Sequence, residues 1–205
     1  NNRIDNLQLN AIASAPVVTN GNATGTVGNS FSYFINATNS PASYAASGLP
    51  AGLSTNTSTG EISGTPTVAV TSSSVNISAS NSAGTGSGVL NLTINQAAQT
   101  INFPSISTKT FGDPIFTLNA TGGASGNPVL YASSNNAVAS ISGNTVQING
   151  AGTCVITASQ AGNANYLAAV DVNQSLTVNQ AVQTISFSPL PSKLITDPPF
   201  TLNAT

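Results

Sequence analysis

Charged side chains are nearly absent from this sequence. Lys, Arg, Asp and Glu make up 4% of its 205 residues and leave a net charge of −2, whereas an average soluble domain contains about 25% charged residues. So weak a field cannot steer nucleic acid, an anionic membrane or a strongly charged substrate to the protein. The polar surface must therefore consist of Asn, Ser, Thr and Gln.

Histidine, tryptophan and methionine are missing, and cysteine occurs once. Without histidine there is no His-based triad, imidazole base or His metal ligand. One cysteine cannot form an internal disulfide. Cys154 lies on the inward face of the alternating segment GTCVITAS (152–159), which predicts a buried core thiol, with intermolecular pairing as the alternative. The lack of Met at position 1 predicts a processed or excised piece, and no apolar run approaches the ~18 residues of a membrane span.

The acidic residues are too scattered to predict a reaction centre. They are isolated from one another in the sequence: Asp5, Glu61, Asp113, Asp171 and Asp197. A glycosidase needs two carboxylates at one bond, and calcium needs about six to eight oxygens, several of them carboxylates. Asp113 and Asp197 each precede a proline, which is a turn signal. We therefore predict no enzyme and no catalytic, cofactor-binding or metal site.

Three further patterns have a structural and a functional interpretation. Lys109 and Lys193 recur in register with Asp113 and Asp197, so an isopeptide cross-link is an alternative to the favoured exposed lysines. Tyr166 is expected to cover a sandwich end and not to form a sugar platform. Eight Asn-Xaa-Ser/Thr sequons occur, about the number that chance gives in so Asn- and Thr-rich a chain, so glycosylation stays open.

An internal repeat dominates the organisation of the chain. QTINFPSISTKTFGDPIFTLNAT (99–121) and QTISFSPLPSKLITDPPFTLNAT (183–205) align at a spacing of 84 with 13 of 23 positions identical. LTINQAAQ (92–99) and LTVNQAVQ (176–183) precede them, so one motif ends each unit and begins the next. The repeat predicts domains at 11–95 and 96–179, followed at 180–205 by the first strands of a further, truncated repeat.

Period-2 alternation predicts that these domains are all-β. Apolar residues occupy every second position of short segments, with Phe31, Tyr33 and Ile35 as one set and Leu90, Leu92 and Ile94 as another. Gly, Pro, Asn and Ser clusters separate the segments, and no capped helical stripe is longer than two turns. Each unit of about 84 residues has room for roughly seven strands of a β-sandwich. The residues expected in the first core are Phe31, Tyr33, Ile35, Leu53, Ile62, Val75, Ile77, Leu90 and Leu92, and those expected in the second are Phe103, Phe116, Leu118, Cys154, Ile156 and Leu176.

The stretch GLPAGLSTNTSTGEISGTPT (48–67) predicts turns and not a phosphate cradle, because no helix follows its glycines. Thr59-Gly60 is expected to form a turn with positive φ, and Ile62 a short strand that ends at Gly64 and Pro66. This stretch resembles the signature of the bacterial "Putative Ig" modules, which are cadherin-like and occur in tandem in large surface proteins. Residues 111–121 and 131–169, with the exit LTVNQA, resemble another bacterial Ig-like repeat, the MBG-type module.

The resemblance implies Ig-like β-sandwiches strung end to end as stalks or adhesin arms, and no catalytic residues. We predict an extracellular spacer or shaft segment of a modular bacterial surface protein, with self-association or neighbouring repeats as partners. Assembly into a fibre stays open, because residues 183–205 could belong to a longer chain or insert into a neighbouring subunit. The alternatives are an adhesin module that binds glycan or a host protein, and an accessory domain of a secreted enzyme.

Overall fold

The computed structural model describes residues 13–205 and is all-β, with no helix among these residues. Residues 11 and 12 of the first predicted domain, and Asp5, lie outside the described part. The chain divides into two compact units. The first contains the described residues up to Asn102 with Ala120–Val129 and Ser159–Val172, and the second contains Phe103–Asn119, Leu130–Ala158 and Asn173–Thr205. The predicted domain limits stay a prediction.

The first sandwich consists of seven strands in two sheets. A four-stranded sheet has the order β1-β7-β6-β3 and a three-stranded sheet the order β2-β5-β4. The strands are β1 (Gly21–Thr26), β2 (Phe31–Phe34), β3 (Ser43–Ser47), β4 (Leu53–Thr55), β5 (Glu61–Gly64), β6 (Val70–Asn81) and β7 (Gly84–Asn95). The first and last strands pair in parallel, from Gly21 opposite Leu90 to Thr26 opposite Asn95, and the other pairs are antiparallel.

Alternation along the strands places the core of this sandwich as the sequence predicts. The predicted core residues that are buried are Phe31, Ile35, Ile62, Val75, Ile77, Leu90 and Leu92. Tyr33 and Leu53 are half-buried and pack against this cluster. Because the cluster draws on β2 and β5 as well as β6 and β7, it fills the space between the two sheets.

The stretch 48–67 forms turns and two short strands, β4 and β5, of which only the strand that contains Ile62 was predicted. Gly60 has a φ of 76° and Gly52 a φ of 92°, both in the left-handed region that glycine tolerates. A Cβ on Gly52 would meet the carbonyl oxygen of Thr65, so this glycine also permits a close backbone approach. Ile62 lies in β5 and is fully buried. The glycines therefore shape turns, and no helix follows them in the described part of the chain.

The chain that enters the first sandwich runs along β7 before β1 begins. A Cβ on Gly84 would lie 3.3 Å from the Cβ of Ala15, and one on Gly88 would lie 3.0 Å from Cγ1 of Val18. Between them, a Cβ on Gly86 would overlap the carbonyl oxygen of Pro16. The alternating glycines of GTGSG thus leave room for the incoming backbone. The chain enters beside one end of β7 and leaves at its other end.

The second sandwich also contains seven strands in a four-stranded and a three-stranded sheet. The orders are β10-β13-β14-β8 and β11-β12-β9. The strands are β8 (Lys109–Thr110), β9 (Phe116–Thr117), β10 (Val129–Ser133), β11 (Ala139–Ser142), β12 (Thr145–Ile148), β13 (Gly152–Gln160) and β14 (Val172–Asn179). Its first and last strands again pair in parallel, with Lys109 opposite Val178 and Thr110 opposite Asn179.

The predicted core of the second sandwich is confirmed with one difference. Phe103, Leu118, Ile156 and Leu176 are buried, as is the thiol of Cys154. Phe116 is half-buried, and the Nζ atom of Lys109 lies 4.7 Å from the centre of its ring. The ammonium group of Lys109 therefore lies over the aromatic ring of Phe116, which stays partly exposed at the edge of the core.

Residues 180–205 contain no strand in the described structure, and their side chains are exposed. A single bridge joins Phe187 and Ala204, flanked by the reciprocal hydrogen bonds of Ser186 and Thr205, at 2.7 and 3.0 Å. The same pair of bonds joins Asn102 and Thr121, one repeat earlier. The segment therefore has the local pairing of residues 102–121 without the sheets of a complete sandwich.

Candidate functional site: a hydrogen-bonded linker

The linker residues 96–99, within the first unit, are held by two turns that come much later in the chain. We call this arrangement the linker clamp; it consists of residues 96–99 with Ser125 and the turn 161–167. Its backbone contact resembles a strand pair: the amide of Ala97 donates to the carbonyl oxygen of Asn165 at 2.9 Å, and the amide of Leu167 donates to that of Ala97 at 2.9 Å. Ala97 and Tyr166 form a parallel bridge.

Asn163 gives the clamping turn its shape. Its Oδ1 accepts hydrogen bonds from the amides of Asn165 at 2.8 Å and Tyr166 at 2.9 Å. Asparagine commonly closes a turn on its own backbone in this way. Its Nδ2 donates to the carbonyl oxygen of Ser125 at 2.8 Å. The side chain of Gln96 reaches the same turn, because its Nε2 donates to the carbonyl oxygen of Asn163 at 2.7 Å.

Gln99 is one of two buried polar side chains in the described residues, with 8% of its surface exposed. Its Nε2 donates to the carbonyl oxygen of Ala161 at 3.2 Å, and its Oε1 accepts from the amide of Ser125 at 2.8 Å. A Cβ on Gly123 would lie 2.6 Å from the Cβ of Gln99, so only glycine fits beside it. The burial of this amide is tolerated because both of its ends are hydrogen-bonded.

Gln160 is the other buried polar side chain and stabilises the same region. It is 4% exposed. Its Oε1 accepts from the amide of Gly123 at 2.7 Å, and its Nε2 donates to the carbonyl oxygen of Asn127 at 2.7 Å. The loop that holds Gln99 is thus itself held from the other side, which limits its freedom to open.

Asn165 links the clamping turn to the first sandwich. Its Oδ1 accepts a hydrogen bond of 3.0 Å from the amide of Ala69, next to the start of β6. Ala69 is partly buried and packs against the core of the first sandwich. Linker, turn and sandwich edge are therefore connected by hydrogen bonds within one unit, and the linker is not a free coil.

The residues that the sequence singled out for chemistry form no common site. In residues 13–205 no three or more His, Cys, Asp or Glu side chains approach closely enough to hold a metal. Oε1 of Glu61 accepts a hydrogen bond of 2.7 Å from Ser32. The Oδ2 atoms of Asp113 and Asp197 each accept one of 2.9 Å from the amide three residues before them. These three carboxylates fix strands and turns. Asp171 is exposed.

The two lysines occupy equivalent positions over aromatic rings. Nζ of Lys109 lies over Phe116, and Nζ of Lys193 lies 5.1 Å from the ring centre of Phe200. Tyr166 is half-buried, and its backbone forms part of the linker clamp. Sequence reasoning missed the clamp, although the motif Asn-Gln-Ala-Xaa-Gln and the turn GNANY stood in the sequence. Neither motif indicates that the linker and the turn are in contact, because more than 60 residues separate them in the sequence.

The two-sheet fold is that of an Ig-like β-sandwich, which is consistent with a structural or adhesion module. The family model described as "Putative Ig domain" matches residues 15–95. This match supports an Ig-like module over the first sandwich. Domains of this type are typically non-catalytic and commonly extracellular. No helix among residues 13–205 is long and apolar enough to cross a membrane.

The solved structures similar to this chain include multi-domain fragments of adhesion and muscle proteins and two putative alpha-galactosidases from Bacteroides fragilis, of which 22% and 18% is covered. The human protocadherin-24 EC1-2 fragment is 16% identical, with 80% of this chain and 98% of that chain covered and a TM-score of 0.42. The titin domains Z1Z2, solved in complex with telethonin, are 15% identical, with 84% and 100% covered and a TM-score of 0.46. The N-terminal four Ig domains of Dscam1 are 16% identical, with 82% and 46% covered and a TM-score of 0.34. None of these likenesses carries an argument about function.

No curated protein matches this chain.

Proposed function

We propose that this chain is a tension-bearing spacer of a modular, extracellular bacterial surface protein. The observation that carries the proposal is the parallel pairing of the first and last strand in each sandwich. In the first sandwich, the ladder joins Gly21–Thr26 of β1 to six residues of β7. A pull on the two ends of the module acts on opposite ends of this ladder, so its hydrogen bonds are loaded together.

The linker clamp supports the same proposal. A spacer transmits direction as well as force only if its linkers do not behave as flexible coils. The backbone of Ala97 is bonded at both its amide and its carbonyl group, and the buried Gln99 is hydrogen-bonded at both Nε2 and Oε1. The linker is therefore short and ordered. The sparse charge and the resemblance to bacterial surface repeats favour a location outside the cell.

The pulling geometry provides a test in single-molecule force spectroscopy. Handles are attached at Thr19→Cys and Asn95→Cys in a Cys154→Ala background, which loads the β1–β7 ladder in shear. The control keeps Thr19→Cys and moves the second handle to Ser87→Cys, at the same end of the ladder as residue 19, which peels the bonds one after another. All three handle positions are exposed.

We expect a higher unfolding force for the shear pair than for the peeling pair at the same loading rate. Both proteins contain the same hydrogen bonds and differ only in the attachment of one handle. Equal unfolding forces would contradict a load-bearing role for the parallel ladder. Chemical unfolding of the two handle variants, which should coincide, separates a geometric effect from a difference in stability.

The adhesin alternative has a weaker observation in its favour. Several apolar side chains are exposed on the first sandwich, among them Val17 at 62% and Phe34 at 59%. A glycan array tests it, since a spacer gives no specific signal. An accessory role in a secreted enzyme has no specific contact in its favour.

A further inference from the structure

The second linker repeats the first, but no turn among residues 13–205 holds it as the turn 161–167 holds the first. Gln180, Ala181 and Gln183 correspond to Gln96, Ala97 and Gln99 at the repeat spacing of 84. Gln99 is buried and the other two residues of the first linker are half-buried, whereas all three residues of the second are exposed. The same side chains and backbone groups are thus presented to solvent.

These residues line an open cleft of the second unit. Phe111 and the turn Asn149–Gly150–Ala151 form the rest of its wall, and the cavity measures about 670 Å³. The ring of Phe111 is 48% exposed, while its backbone is fixed by a 2.8 Å hydrogen bond to the carbonyl oxygen of Asn179. The cleft therefore combines the Phe111 side chain with the amides of a linker that, one repeat earlier, binds a turn.

The segment that follows the cleft already has the local structure of the corresponding part of the second repeat. The Oδ2 atom of Asp197 accepts a hydrogen bond of 2.9 Å from the amide of Leu194. One repeat earlier, the Oδ2 atom of Asp113 accepts a hydrogen bond of the same length from the amide of Thr110. The lysine–phenylalanine contact also recurs. Burial and strand pairing differ: Leu202 is 57% exposed where Leu118 is 4% exposed, and no strand in the described residues 180–205 corresponds to β8 or β9. The apolar face is formed and lacks the strands that cover it.

We propose that residues 180–183 and this cleft are the seat of a Gly-Asn-Xaa-Asn-Tyr turn, supplied by a further module of the same repeat in the same chain. The chemistry matches the linker clamp: an Asn-closed turn offers carbonyl oxygens to Gln180 and Ala181 and an amide to the carbonyl group of Ala181. A second copy of this chain is a poor donor, because its turn 162–166 is already bonded to its own linker. The inference rests on the proposed spacer function.

The test extends the chain in register. Thr205 is the equivalent of Thr121, so a copy of residues 122–179 appended after Thr205 completes the repeat and supplies the turn. Amide hydrogen exchange is measured at Ala97 and Ala181 in the 205-residue protein and in the extended protein. We expect Ala97 to be protected in both, and exchange at Ala181 to slow by about tenfold or more on extension, as for a newly formed backbone hydrogen bond.

A matched control replaces the appended copy of Asn163 with alanine, which should weaken the protection of Ala181 and leave Ala97 unchanged. Rapid exchange at Ala181 in a folded extension, with Ala97 protected, overturns this inference alone. Rapid exchange at Ala97 overturns the linker clamp and with it the support for the spacer function. Protection of Ala181 that rises with the concentration of the 205-residue protein shows that a second copy is the occupant, which also overturns the proposal.

A second measurement decides the question if the extension does not fold. A cyclic peptide with the sequence of residues 161–168 is added in excess to the 205-residue protein. We expect the NMR amide signals of Ala181 and Phe111 to shift, and the same peptide with alanine in place of the first asparagine to shift them less. No shift at Ala181 with the unmodified peptide overturns the proposal.

Discussion

Gln99 and Gln183 occupy equivalent positions of two repeats, but Gln99 is buried and Gln183 is exposed. We therefore expect their side-chain amides to contribute differently to the free energy of unfolding. We expect Gln99→Ala to lower the free energy of unfolding by about 1–3 kcal/mol, because the partly buried amide of Ser125 loses its partner. The carbonyl oxygen of Ala161 keeps the hydroxyl of Ser125 as a donor, which limits the loss. Gln183→Ala, at an exposed position, should change it by less than about 0.5 kcal/mol. Urea unfolding of both variants measures the difference.

Two neighbouring residues of β13 provide a test of the core. Ile156 is fully buried and Val155 is 40% exposed on the opposite face of the strand. Ile156→Ala should cost about 2–5 kcal/mol through lost burial and the cavity left behind. Val155→Ala should cost about 1 kcal/mol or less, mainly through strand propensity. Similar losses in thermal or urea unfolding would show that the alternation does not define the core.

At the scale of elements, two turn glycines distinguish the cost of a left-handed backbone conformation from the cost of a steric overlap. Gly28 and Gly52 have φ angles of 78° and 92°. A Cβ on Gly28 has no atom within 4 Å, whereas one on Gly52 would overlap the backbone oxygen of Thr65. We expect Gly28→Ala to cost about 1–2 kcal/mol, the strain of a left-handed residue, and Gly52→Ala to cost clearly more. Equal melting temperatures for the two variants would contradict the close approach.

The strands were predictable from the sequence because each has one buried face, and the period-2 pattern of Val75, Ile77 and Ala79 records that face directly. The turn at Gly60 was predictable because Thr-Gly is a local turn signal, in which glycine tolerates a positive φ. The linker clamp was not, because its hydrogen bonds join backbone groups and amides far apart in the sequence, and such pairing leaves no periodic signal. The parallel pairing of β1 with β7 likewise depends on topology and not on the composition of either strand.

For the whole molecule, the prediction that no metal is bound is open to a direct measurement. Ligands that bind only the folded state raise its stability, and removal of a bound ion lowers the melting temperature. We expect the unfolding midpoint to be unchanged by a chelator or by added calcium, since the carboxylates described above hold strands and turns. A shift of several degrees on adding calcium would reveal a site made of backbone carbonyl groups and single acids.

The repeated linker motif, at the point where the chain leaves β7, has a genetic consequence. Entry beside Gly84 and exit at Asn95 are separated by a strand of 12 residues, or about 40 Å at ~3.3 Å per residue. The two copies of Gln-Ala-Xaa-Gln begin directly after β7 and β14, so a recombination crossover between these copies would interrupt no strand. Each such crossover would add or remove 84 residues, the spacing of the repeat.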